Sequence, residues 1–324
     1  MGDINLTLND IFLARKRIEP FAKKTPLIAS SSLSSITRTN VTLKLENHQV
    51  TGSFKLRGAT NKILSLSENE RQRGVITVSS GNHGRAVASV AQKLGVVATI
   101  CVPTPVPENK RQAIRDLGAD LVIKGENADE AMAYADELQA ETGMTMVHPF
   151  DDLDIIAGQG TIGLEILDDY PEIDTVIVPL SGGGLMSGIA FTLKAAKPDI
   201  QVVGVSMENG PAMVESLKAG RVVEINETPT LADALAGGLN RDNTYTFPMA
   251  QKYVDETVLV SEGEIADGIV FCYREHQMIV EGGGVVGVSA LLSKKIRKLG
   301  DNVAIVISGG NLSESILTKL LAER

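Results

Sequence analysis

The chain has 324 residues, 43% of them hydrophobic and 22% charged, with a net charge of −9. That length suits two cores better than one, and the balance is that of a soluble globular protein. An acidic chain with no basic run is ill-suited to nucleic acid, no apolar run approaches the ~18 residues of a membrane span, and the N-terminus MGDINLTLND lacks a cationic segment followed by an apolar one, against a secretory signal. Cys101 and Cys272 lie in apolar surroundings and read as buried thiols of a reducing cytoplasm.

In chain order, the first informative stretch is TGSFKLRGA, residues 51–59. It reads as a helix start with one lysine, Lys55, between Phe54 and Leu56, and a second cation at Arg57. From 74 to 150 strands alternate with helices. GVITVSS is followed by the helix HGRAVASVAQKLG, VATICVP by PENKRQAIRDLG, and ADLVIKG by NADEAMAYADELQAETG, a helix capped by Asn127. MTMVHPF reads as a further strand. GQGTIG, 158–163, matches the dinucleotide fingerprint letter for letter, but no clean strand precedes it and no acidic strand end follows at the right distance. A glycine-rich helix packed closely on a neighbour fits better.

A second series runs DTVIVPL, helix 185–197, QVVGVSM, a helix around 211–219, ETVLVSE, helix 262–277 with a capping box from Ser261 to Glu264, helix 285–298, NVAIVIS and helix 313–322. Strand–helix alternation with short connections implies parallel sheets covered on both faces, hence an α/β fold.

In open α/β sheets ligands bind beyond the carboxyl ends of strands. SSGNHG (79–84), SGGGL (181–185), EGGG (281–284) and SGGN (308–311) fall at such ends or at helix starts. SGGGL is either an anion cradle suited to phosphate or an ordinary tight turn; it is not a P-loop, having no Lys-Ser or Lys-Thr pair. The amides of SSGNHG can hold a carboxylate, while Asn82 can equally be a helix cap and His83 a satisfied group behind the site. Lys55 can be a snorkelling surface lysine. In an apolar setting it can instead have a lowered pKa and form a Schiff base. A reactive lysine, a phosphate cradle and a carboxylate cradle together are what pyridoxal phosphate and an amino acid need.

SFKLRGA, SSGNHG, SGGGL and SGGN, in this order over nearly the whole chain, resemble the motifs of the fold-type II pyridoxal-phosphate enzymes, and within them the serine/threonine dehydratase and serine racemase group. The resemblance implies a tryptophan synthase β-like fold of two open, twisted, mainly parallel sheets flanked by helices. It implies a small mobile domain over 50–145 inside a large cofactor-binding domain made of 1–49 and 146–324. It implies pyridoxal 5′-phosphate on Lys55, with Phe54 and Glu281 beside it, Asn82 on its ring oxygen, Gly182, Gly183, Gly184 and Leu185 on its phosphate, and Ser308 at its pyridine nitrogen. Ser79, Ser80, Gly81, Asn82 and His83 would surround the substrate carboxylate. A homodimer or homotetramer in the cytoplasm, acting on a small amino acid with neither nucleic acid nor membrane as partner, is the family's pattern.

An aspartate in place of Ser308 would keep the pyridine nitrogen protonated; a neutral hydroxyl does not. Chemistry that expels a leaving group as the α-proton departs then suits the ring. The expected reaction is β-elimination of water from a β-hydroxy-α-amino acid, giving a 2-oxo acid and ammonia, with Lys55 removing the α-proton. Ser80 matches the position where racemases of this group carry the acid/base of the opposite face, which leaves open an amino-acid racemase using Lys55 and Ser80, or a Ser80 that only donates a hydrogen bond. The racemases' carboxylate ligands for a divalent cation are replaced by Ser206, Gly210 and Ala212, with Glu208 two residues away, so no metal is expected. With no sequence after 324 to carry an effector domain, feedback inhibition by a branched amino acid is not expected. GVSMENG, PTLADALAGGLNRDNTYTFPM and GQGTIGLEIL resemble the hydroxyectoine-utilisation dehydratases, which are taken to act on a hydroxydiaminobutyrate derivative. Asp233 would then orient a substrate group at the rim, unless it caps a helix.

Overall fold

The computed structural model describes residues 4–106, 108–226, 228–240 and 242–324. The elements run α1 (Leu8–Ile18), β1 (Leu27–Ala29), α2 (Ser31–Thr37), β2 (Asn40–Leu45), α3 (Lys55–Ser65), α4 (Glu68–Arg73), β3 (Val75–Val78), α5 (Asn82–Leu94), β4 (Ala98–Val102), α6 (Glu108–Arg115), β5 (Asp120–Ile123), α7 (Ala128–Thr142), β6 (Thr145–Met146) and α8 (Leu153–Asp169). They continue with β7 (Thr175–Pro179), α9 (Gly184–Ala196), β8 (Gln201–Met207), α10 (Ala212–Ala219), α11 (Thr246–Tyr253), β9 (Glu256–Val260), α12 (Glu262–His276), α13 (Gly282–Leu292), β10 (Asn302–Ile307) and α14 (Glu314–Glu323).

The strands form two sheets. The larger has the order β1-β2-β10-β7-β8-β9 and the smaller β5-β4-β3-β6. All pairings are parallel except β1 with β2. The strands TVIVP, NVAIVI and ATICV are apolar on both faces, which is what a parallel sheet covered by helices on both sides selects. In β8, Val203, Val205 and Met207 face Ile265, Ile269 and Val286, whereas Val202 faces Ile189 and Met213. The small sheet builds its own core from Ile100, Val87, Val90, Leu56 and Ile63. Each such buried aliphatic side chain contributes about 1.5–3 kcal/mol.

Two elements depart from the sequence pattern. The MTMVHPF strand shrinks to Thr145–Met146. The Val147 carbonyl accepts from Thr77 Oγ1 at 2.7 Å and lies 2.8 Å from His83 Nε2, and His148 Nδ1 accepts the amides of Phe150 and Asp151, so side chains take over from the ladder. Helix 285–298 occupies 282–292 instead. Extended Glu281 opens it at the glycines, and Lys294 at φ 55 ends it. The region before residue 50, where no strand is evident in the sequence, supplies β1 and β2 of the large sheet.

GQGTIG lies inside α8, which rules out the dinucleotide reading. A Cβ on Gly158 would come within 2.7 Å of Gly58 Cα, and one on Gly160 within 2.9 Å of Thr192 Oγ1. The glycines let α3 and α9 approach the α8 backbone. Among the described residues no helix is long and apolar enough to cross a membrane.

Candidate active site

Seven helices begin with a side-chain cap: Thr7, Ser30, Ser67, Asn127, Asp152, Ser261 and Ser313 each accept a first-turn amide. By contrast α3, α5, α9 and α13 have none from their N-cap residues Phe54, Gly81, Gly183 and Glu281, nor has α10 after Pro211. Uncapped N-termini leave amides and the positive end of the helix dipole free for an anion.

Four of these starts are tied together. The Phe54 amide donates to the Ser308 carbonyl at 3.0 Å, and Ser53 pairs with Gly309 as an isolated antiparallel bridge. Asn82 Nδ2 donates to Glu281 Oε1 at 2.6 Å. Lys55 Nζ donates to the Pro149 carbonyl at 2.6 Å, and the next residue, Phe150, packs on the SGGGL loop, where a Cβ on Gly182 would come within 2.3 Å of its ring. The four motifs thus meet at the carboxyl ends of β3, β7 and β10.

Lys55 is the first residue of α3, half-buried, with Nζ 5.3 Å from the centroid of the Phe54 ring. Among the described residues it has no carboxylate partner. Burial alone lowers its pKa to about 8. A lysine without a counter-ion, part of it neutral near physiological pH, is the nucleophile that a cofactor aldehyde requires.

In SGGGL, Gly183 adopts φ +88 and opens α9. A Cβ there would lie 2.7 Å from Met213 Cε and 2.9 Å from Thr246 Cβ. Gly184 and Leu185 are buried in the first turn and Gly182 is half-buried. The loop is shaped by protein packing as well as by its free amides. Ser308 closes β10 and is 5% exposed; its hydroxyl lies 3.4 Å from the Gly283 carbonyl and carries no charge.

In SSGNHG the N-cap of α5 is Gly81, not Asn82. Asn82 Nδ2 donates one hydrogen to Glu281, and its Oδ1 accepts from Asn311 Nδ2 at 2.6 Å, which leaves the second Nδ2 hydrogen for a ring oxygen. Ser79 Oγ accepts from the Gly81 amide. Ser80 is half-buried, and its hydroxyl has no hydrogen-bond partner among the described residues. A Cβ on Gly81 would meet nothing within 4 Å, so space is open over this loop. The His83 ring is buried against Val147, and burial with the nearby Lys55 charge pushes its pKa down to about 3. The residue is 3% exposed and its Nδ1 has no partner among the described residues, so the ring packs behind the loop, as one of the two sequence readings allows. Glu281 is 5% exposed, and burial pushes its pKa up to about 7.

The partners of Arg57 and the role of Asp151 went unread in the sequence. Arg57 lies behind Lys55 in a buried cluster with Lys44, Glu46 and Glu165; charges inside apolar runs, as in VTLKLE and TIGLEIL, were the available signal. Asp151 accepts the amides of Thr244, Tyr245 and Thr246 and so caps α11. Asp233 opens a 3-10 turn without capping it and pairs with Lys110 at 2.9 Å. Glu208 faces Lys295 Nζ at 3.3 Å. Among the described residues, no group of three or more His, Cys, Asp or Glu side chains is placed to hold a metal. Cys101 and Cys272 are free and buried, which raises both thiols, to about 11 and about 12.

The model of the pyridoxal-phosphate dependent enzymes matches residues 18–309, most of the chain. The chain belongs to this family. An L-threonine ammonia-lyase of Thermotoga maritima is 46% identical over 316 residues, 98% of this chain and 78% of the relative. The structure of maize serine racemase aligns with a TM-score of 0.92 at 33% identity, covering 98% of this chain and 97% of that one. The processed form of threonine deaminase isoform 2 from Solanum lycopersicum aligns with a TM-score of 0.88 at 36% identity, covering 99% and 94%. The mainly parallel α/β architecture is that of pyridoxal-phosphate fold type II. The residues present fit its cofactor: an amine with no carboxylate partner among the described residues, a glycine loop with free helix amides for a phosphate, and an uncharged hydroxyl at the end of β10.

Proposed function

We propose that this pyridoxal-phosphate-dependent enzyme is a dehydratase that removes water from a β-hydroxy-α-amino acid, serine, threonine or a related compound, and releases a 2-oxo acid and ammonia. The observation that carries the reading is Lys55, a lysine with no carboxylate partner among the described residues, on α3, whose start is hydrogen-bonded to Ser308, the neutral residue that follows β10. The names of the threonine ammonia-lyase and deaminase relatives support it.

Bound pyridoxal phosphate supplies an electrophilic aldehyde and an electron-withdrawing ring that acidifies the α-hydrogen of the amino acid. The amides of Gly182, Gly183, Gly184 and Leu185 would hold its phosphate, and Phe54, Asn82, Glu281 and Ser308 would line the ring. Ser79, Ser80, Gly81 and Asn82, with the His83 backbone, hold the substrate carboxylate at the start of α5. Lys55, as a free neutral amine, takes the α-proton, and its depressed pKa keeps a useful fraction neutral. Ser308 would place a neutral hydroxyl, and no carboxylate, at the ring, a setting that suits loss of the β-hydroxyl together with the α-proton. We assign 50–145 to a small domain that moves over a large one of 1–49 and 146–324, and a homodimer or homotetramer in the cytoplasm.

One observation favours a second reading. Among the described residues the Ser80 hydroxyl has no hydrogen-bond partner, which leaves it available as an acid/base for the face opposite Lys55, so an amino-acid racemase is the alternative. Purified holoenzyme is incubated with L-serine, L-threonine, hydroxyaspartate isomers and a hydroxydiaminobutyrate, and assayed for both keto acid and D-enantiomer. Ammonia and keto acid in equal amounts support the dehydratase. Inversion outpacing keto-acid release overturns it, and Ser80→Ala then abolishes inversion.

A further inference from the structure

We propose that Arg57 is a positioning residue for Lys55, acting through a buried four-charge cluster that fixes the rotation of α3. The two residues are two apart on one helix and point in nearly opposite directions. Lys55 reaches the Pro149 carbonyl. Arg57 is 1% exposed and reaches into the packing between α8 and β2.

Its guanidinium grips two carboxylates. Nε and Nη2 donate to Glu46 at 2.8 Å each, and Nη1 and Nη2 donate to Glu165 at 2.6 and 2.8 Å. Nη1 also reaches Thr161 Oγ1, and Nη2 the Lys23 carbonyl. Lys44 Nζ binds Glu165 at 2.6 Å and the Thr25 carbonyl at 2.7 Å, balancing the charge. Glu46 follows β2 and Glu165 belongs to α8, so one side chain of α3 is bolted to two elements. The Gly58–Gly158 approach leaves no room for the helix to slide.

A buried ion cluster is weak evidence for stability, because well-packed apolar residues often do as well. The planar fork supplies orientation. On the other side of Lys55, Phe54 and Ser53 are tied to Ser308 and Gly309. The lysine is therefore held between two anchors, and the cluster sets the direction of its side chain without touching the reacting atoms.

This inference rests on Lys55 being the residue that bonds the cofactor, so its test includes a readout without cofactor. Arg57→Lys keeps the charge and loses the fork. In the full chain stripped of cofactor, the pH midpoint of Lys55 reductive methylation, followed by peptide mass spectrometry, is expected to rise by about one unit as water reaches the amine. In the reconstituted enzyme kcat is expected to fall about 10- to 100-fold, as for an ångström-scale misplacement, with KM changed less than about twofold. A folded variant with unchanged midpoint and kcat overturns the proposal, as does one that only loses thermal stability. If Arg57→Lys does not fold, Glu46→Gln, which keeps an acceptor and the Glu165 pair, is judged by the same two measurements. Failure of the cofactor assignment looks different: the midpoint still shifts, but reduction of the holoenzyme labels another residue.

Discussion

Replacing Lys55 by Met in the cofactor-free protein should stabilise it, and the gain should depend on pH. The amine is partly buried without a counter-ion, and its pKa falls from 10.5 to about 8. A depression of that size corresponds to about 3 kcal/mol, which partial exposure reduces to about 2. Below pH 8 the amine is charged in both the folded and unfolded chain, and the folded state carries the whole cost. Between pH 8 and 10.5 the unfolded chain binds more protons, so wild-type stability rises with pH. Above 10.5 neither state is charged and the cost vanishes. Losing the Pro149 bond sets about 1 kcal/mol against the variant at every pH. Urea unfolding of wild type and Lys55→Met at pH 7, 8, 9 and 10 tests this, because other titrating lysines cancel in the difference. The variant should gain about 1 kcal/mol at pH 7 and lose that advantage by pH 10. A difference that stays flat with pH would refute the reasoning.

Gly183→Ala forces a side chain onto φ +88 against Met213 and Thr246. It should cost about 1–3 kcal/mol of stability and weaken cofactor binding, read by absorbance titration. Glu281→Gln should stabilise the cofactor-free protein above pH 7 and leave it unchanged below about pH 4.5, since burial raises the wild-type carboxyl to about 7. Equal stability of the two at pH 8 in urea unfolding would count against the buried-carboxylate account. Asp151→Asn weakens the cap on the three amides of Thr244, Tyr245 and Thr246 at the start of α11 and should cost about 1 kcal/mol in thermal unfolding.

Much of the site was legible because its parts are local. A triple glycine between a strand and a helix can be read without knowing the fold, and so can a lysine flanked by Phe54 and Leu56. The alternating strands and helices from 74 onward were legible for the same reason: apolar runs and caps such as Asn127 and Ser261 act within a few residues. What the sequence hid depends on distant partners. β2 pairs with β10, some 260 positions later in the chain, and no local pattern announces that. Arg57 looks like a surface cation until Glu46 and Glu165 are brought to it. His83 reads equally as part of the site or as a group behind it until the shortened β6 places the Val147 carbonyl against its ring.

The most direct test is borohydride reduction of the reconstituted enzyme followed by peptide mapping. A stable pyridoxyl adduct on Lys55, and its absence with loss of colour in Lys55→Ala, is the predicted result. An adduct on any other lysine, or a Lys55→Ala protein that still turns over amino acids, would contradict the account.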